Sequence, residues 1–207
     1  MTKTNTNTAT IGLKAKTGRA IAIVLSGPSE TPRLVKRTEL NFIDPQNPTT
    51  FQPFHSVMDL PWNESAKRVA PLIEVIESIA AKALAEIIRE LQAEGLKVVG
   101  VGIVGSADRD VGKIGNYHIR AHAAEGQLFR QVLESAAETT KVPYRSYIEK
   151  TLLAQAADEL GLTVNQLNNR LKNIGDSAGP PWRSDQRVAA AAAWIVFCHH
   201  KESAGKK

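Results

Sequence analysis

The run Val188–Cys198, VAAAAAWIVFC, constrains the fold of this chain most. It has eleven apolar residues and no polar one. That is well short of the roughly 20 residues a membrane-spanning helix needs, so its only outlet is a protein core. Five consecutive alanines make a helix whose face is almost bare backbone, and such a helix can approach a sheet very closely. A partner is written upstream. Lys97–Val104 (KVVGVGIV) is a continuous apolar run of strand length, ended by Gly105-Ser106, the pattern of a strand buried on both faces. Glycine inside a strand marks the close approach of a neighbour. Gly100, Gly102 and Gly105 are therefore expected to receive the alanine-rich helix.

Three further strands are expected before that run. Thr10–Lys14 (TIGLK) and Ala20–Leu25 (AIAIVL) flank a turn in which Gly18 takes a positive φ. Gly27-Pro28-Ser29 turns the chain again into a third strand over Arg33–Ile43, so these three form an antiparallel meander. Asp44–Pro61 contains Pro45, Pro48, Pro53 and Pro61 and reads as an extended loop. Apolar residues from Val69 to Leu91 then recur at helical spacing, with Asn63 as the expected N-cap, Gly95 as the C′ residue, and Pro71 near the start or at a kink. A second helix is expected over Tyr117–Thr140 and a fifth strand over Val142–Glu149. Strand, helix, strand at this spacing implies a parallel crossover. The expectation is an α/β protein with a five-stranded mixed sheet, three antiparallel strands followed by two parallel ones, flanked by helices. It occupies residues 10–198 as one domain, with flexible tails over 1–9 and 199–207.

Thr151–Ile174 has helix-turn-helix spacing, with Gly161 at the turn and Thr163 capping the second helix. Asn165, Gln166, Asn168, Asn169, Arg170 and Lys172 fall on its polar face, residue types that hold phosphates and read base edges. A plain helical hairpin packed on the sheet explains the same spacing.

Charge and cysteine usage narrow the class. Twenty-six Lys and Arg against 21 Asp and Glu give +5 and a pI near 9.4, a mild lean toward polyanions. A single cysteine, Cys198, excludes an internal disulfide framework and fits a reducing compartment. With no apolar signal segment near Met1, the expected location is cytoplasmic, with no membrane partner.

Several stretches, taken in order, resemble a known family: TIGLK and AIAIVL around the first turn; His118–Gly126 (HIRAHAAEG); Val142–Lys150 (VPYRSYIEK); and Ser184–Trp194 (SDQRVAAAAAW). Together they resemble the ribonuclease H-like superfamily, in its RuvC-like Holliday-junction resolvase branch. The resemblance implies a nuclease using two Mg²⁺ ions held by about four carboxylates. The departures are at those carboxylates. Lys14 stands where the first acid is implied, no acid lies within Gly102–Gly105, and of the last pair Asp185 matches while Val188 does not.

The expectation is thus a RuvC-like protein that has lost metal-dependent cutting, needs no cofactor and binds DNA or RNA or serves as a scaffold. Lys14, Lys16, Arg19, Asp185, Arg170 and Lys172 are its binding candidates. Lys14 is expected to take the place of a metal and pair with Asp185. Two alternatives differ in class. One is an active Mg²⁺-dependent nuclease whose acids are relocated to Asp108, Asp110, Glu125 and Glu149 beside Asp185. The other is a protein-binding subunit, as a homodimer or within a larger complex. His118 and His122 share a helical face with Glu125 three residues on, a trio that binds zinc only if other residues close the site. No metal is assigned there.

Overall fold

A computed structural model describes residues 7–205, with side chains through residue 200. Residues 1–6 and 206–207 of the expected tails lie outside the described residues. Strand β1 (Thr8–Lys16) begins inside the expected tail and pairs antiparallel with β2 (Arg19–Ser26), which pairs antiparallel with β3 (Arg33–Asn41). Between β1 and β2 the turn is Thr17-Gly18, and Gly18 has φ +68°. A Cβ there would meet the Phe51 ring at 2.8 Å, so glycine is required twice over. Strand β4 (Lys97–Gly105) lies parallel to β1, and β5 (Tyr144–Ile148) parallel to β4. The sheet order is β3-β2-β1-β4-β5, the expected mixed sheet.

Pleating divides the structure into two layers. From β1, Ala9, Ile11, Leu13 and Ala15 enter a core with helices α1 (Trp62–Ala93) and α2 (Tyr117–Thr139). The alternate residues face α5 (Ser184–Gly205), backed by α3 (Glu149–Glu159) and α4 (Val164–Asp176). The alanine-rich helix is as buried as its sequence requires, with Ala189–Ala193 at 0% exposure. It lies directly on the glycines. A Cβ on Gly12 would fall 1.8 Å from the Ala189 carbonyl oxygen, one on Gly102 2.6 Å from that of Ala192, and one on Gly100 2.5 Å from Val196. Thr10 Oγ1 fills the same seam by donating to the Ala193 carbonyl, 2.9 Å away. Gly105 faces the other layer, where its missing side chain admits Arg130.

Helix ends depart from expectation in one place and agree in another. α1 starts at Trp62 with Pro61 as its N-cap, not at Asn63, and no side chain caps it. Trp62 stacks on Phe54 at 5.4 Å, so apolar packing, rather than an Asn cap, sets the start. Pro71 lies within the helix at an exposed position. At the other end Gly95 (φ +80°) donates to Gln92 O and Leu96 to Leu91 O, the paired bonds of a glycine C-cap. α5 continues past the expected boundary at Cys198 to Gly205, and His199 Nε2 lies 2.6 Å from Glu159 rather than in a loose tail. Among the described residues no helix is long and apolar enough to cross a membrane.

Candidate functional site

Because β1, β4 and β5 run in parallel, their C-terminal ends meet at one edge of the sheet, together with the start of α5. This is the edge at which open α/β sheets bind ligands. Lys14 sits here, 6% exposed, on the α5 side and opposite Val104 of β4. Its Nζ lies 2.9 Å from Glu149 Oε2 and donates to the Ala15 carbonyl at 3.0 Å. Asp185 is held instead by Lys16, at 3.1 Å. The expected Lys14–Asp185 pair is therefore replaced by two neighbouring pairs. α5 runs antiparallel along β1 and presents Asp185 to the strand's last residue, while Lys14, one pleat deeper, reaches across β4 to the first residue of α3. Val188 is buried in the α5 core, turned into the protein.

The acids of the relocated set are dispersed among cations. Asp108 pairs with Arg130, Asp110 with Lys113 at 2.8 Å, and Glu125 lies 2.9 Å from His55 Nδ1. With Glu149 on Lys14 and Asp185 on Lys16, all five face a basic side chain. Among the described residues no three carboxylates converge within metal reach; the one triad that does is His55, His118 and His122. Mg²⁺ takes oxygen ligands, and a pair of such ions needs several anionic ones. These residues do not fit a magnesium pair.

What the edge does offer is a cleft of about 230 Å³ lined by Gly105, Ser106, Arg109, Gly126, Glu149 and Lys150. Arg109 and Lys150 are exposed and have no ion-pair partner among the described residues. Lys16 and Arg19 stand across the first hairpin turn at the same edge, Arg19 paired with Glu39 at 3.3 Å. A larger cavity, about 590 Å³, lies at the opposite edge between the β2–β3 turn and α4. Arg170 belongs there: it donates to the Glu30 carbonyl at 3.4 Å and lies 6.0 Å from the Trp194 ring.

The α3–α4 hairpin carries the expected face outward. Thr163 and Gln166 form a reciprocal capping box, Leu167 and Leu171 are fully buried, and Asn165, Asn169 and Lys172 are exposed.

Sequence reasoning missed His55 as the neighbour of His118 and His122, because it lies in the proline-rich loop with no local spacing to tie it to α2. It also missed Tyr147, whose buried hydroxyl has Arg145 beside it but no well-formed hydrogen bond. Burial, and secondarily the charge of Glu159, push that phenol up to about 12.

No protein-family model and no curated protein sequence matches the chain. Solved structures that share its fold include the following three. Thermus thermophilus RuvC superposes with a TM-score of 0.52 at 13% identity, over 93% of this chain and 96% of that one. T. thermophilus RuvC in complex with a Holliday junction substrate gives 0.50 at 14%, over 93% and 95%. The yeast mitochondrial Holliday junction resolvase Ydc2 gives 0.51 at 11%, over 98% of this chain and 85% of its own.

Proposed function

We propose that this chain, built on the ribonuclease H-like fold it shares with RuvC and Ydc2, binds nucleic acid at the C-terminal edge of its sheet without cutting it by two-metal chemistry. The observation that carries the reading is the cleft with two exposed, unpaired cations, Arg109 and Lys150, at the ends of the parallel strands. Cations placed in this way can each meet a phosphate of a sugar-phosphate backbone. Contacts of this kind position a nucleic acid and do not read its sequence. The fold supports the ligand class, since one of its neighbours is seen with a Holliday junction. The absence of cutting rests on Lys14. A buried ammonium bonded to Glu149 stands at the first strand, where the resemblance implies an acid.

The test is a panel of labelled four-way junction, duplex and single strands, each with and without Mg²⁺ or Mn²⁺. Salt-sensitive complexes with uncut strands are expected. Metal-dependent cutting that Asp185→Asn abolishes would contradict the reading, and no complex at low salt would leave a protein-binding role in front.

A further inference from the structure

We propose that His55, His118 and His122 form a zinc site on the face of α2, with Glu125 as the carboxylate that orients His55. His118 and His122 are one helical turn apart on α2, and a short 3-10 turn, His55–Val57 in the loop between β3 and α1, brings His55 against both. The ring centroids of His55 and His122 are 4.4 Å apart, those of His118 and His122 4.5 Å, and those of His55 and His118 5.3 Å. One nitrogen from each ring lies within 4.8 Å of the other two. Zn–N bonds of about 2.0–2.1 Å in tetrahedral array put ligand nitrogens roughly 3.3 Å apart, so small side-chain rotations close the site.

The polar atoms around His55 argue for an occupant. Both of its ring nitrogens and Glu125 Oε2 are buried without a hydrogen-bond partner. Buried polar groups left unmatched are costly, and three in one place are hard to account for with three rings merely touching. A metal on Nε2 gives that nitrogen a partner. Nδ1, already 2.9 Å from Glu125 Oε1, then carries the proton, and a slight tilt makes it a donor to that carboxylate. Metal-bound histidines are commonly held in this way. Glu125 is 2% exposed and also accepts the His55 backbone N–H at 3.2 Å, so the carboxylate is fixed before any ion arrives. Three neutral imidazoles select a borderline ion such as Zn²⁺ over Mg²⁺. Three protein ligands leave a fourth position for water. His122 also lines the cleft, so the ion would sit at its rim. The site does not depend on nucleic-acid binding.

The test is Zn²⁺ titration of the full chain without an affinity tag, by calorimetry and against a chromogenic chelator, with the thermal midpoint read in parallel. One Zn²⁺ per chain and a raised midpoint are expected. His118→Ala and His122→Ala, both at exposed positions, should each weaken binding at least tenfold and abolish the thermal shift while the zinc-free midpoint stays put. Glu125→Gln should weaken it by about 10- to 100-fold. His199→Ala with His200→Ala should leave Zn²⁺ binding unchanged. No stoichiometric binding, or wild-type binding in His122→Ala, would overturn the proposal.

Discussion

Lys14 and Glu149 meet at 2.9 Å across the end of β4, joining the first strand to the helix that follows the last. The pair is lopsided: the lysine side chain is 7% exposed and the glutamate 45%. Removing the buried charge leaves a carboxylate that water can solvate. Removing the exposed one leaves a buried ammonium with only the Ala15 carbonyl. Glu149→Ala should therefore cost about 1–3 kcal/mol. Lys14→Met should cost less than about 1 kcal/mol, since its methylenes repack. Urea denaturation of the two variants measures the asymmetry; equal losses would contradict it.

The contact of α5 with the sheet depends on absent side chains. Gly12→Ala and Gly102→Ala drive a methyl into the carbonyls of Ala189 and Ala192. Backbone cannot yield as a flexible side chain does, so each should cost more than about 3 kcal/mol or prevent folding, beyond the usual overpacking penalty. Gly115→Ala meets open space and should leave the thermal midpoint nearly unchanged.

Tyr147 makes the alkaline limb of stability predictable. Its folded pKa of about 12 exceeds the roughly 10 of an unfolded tyrosine. The unfolded state then gives up its proton first, so this contribution is whole below about pH 10 and is lost as pH rises toward 12. Tyr147→Phe should flatten that part of the stability–pH curve. At pH 7 it should change stability by less than about 1 kcal/mol, because the buried hydroxyl it removes has Arg145 beside it but no well-formed hydrogen bond. Melting curves across the alkaline range test both statements.

On α4, Leu167→Ala should cost about 2–5 kcal/mol, as truncation of a fully buried leucine does. Lys172→Ala should leave stability alone and, if Lys172 touches phosphate, lower the salt slope of binding by roughly one. Arg170→Ala should also lower stability, because its guanidinium is already bonded to Glu30.

Much of this architecture is legible in local patterns. VAAAAAWIVFC and the glycines of KVVGVGIV announce a helix lying on a strand, and the structure places Gly102 under Ala192. Gly18, Gly95 and Thr163 mark their turn and caps because the reason for each residue lies within a few positions of it. The site is less legible because its partners are remote. Nothing near Lys14 points to Glu149 rather than Asp185, since only the register of three strands and the descent of α5 decide which carboxylate arrives. His55 is 63 positions before His118, inside a loop whose prolines signal no regular structure. The start of α1 departs from its local signal for the opposite reason: a good capping residue, Asn63, is overruled by the stacking of Trp62 on Phe54.

The most direct test of the nucleic-acid account is the salt dependence of binding to a labelled four-way junction and to duplex. Fluorescence anisotropy at several salt concentrations would compare the natural chain with the Arg109→Ala, Lys150→Ala double variant. If both cations of the cleft neutralise phosphates, the slope of log K against log salt falls by about one for each, and binding weakens without loss of folding. An unchanged slope in the double variant, or no binding by the natural chain even at low salt, would contradict the account.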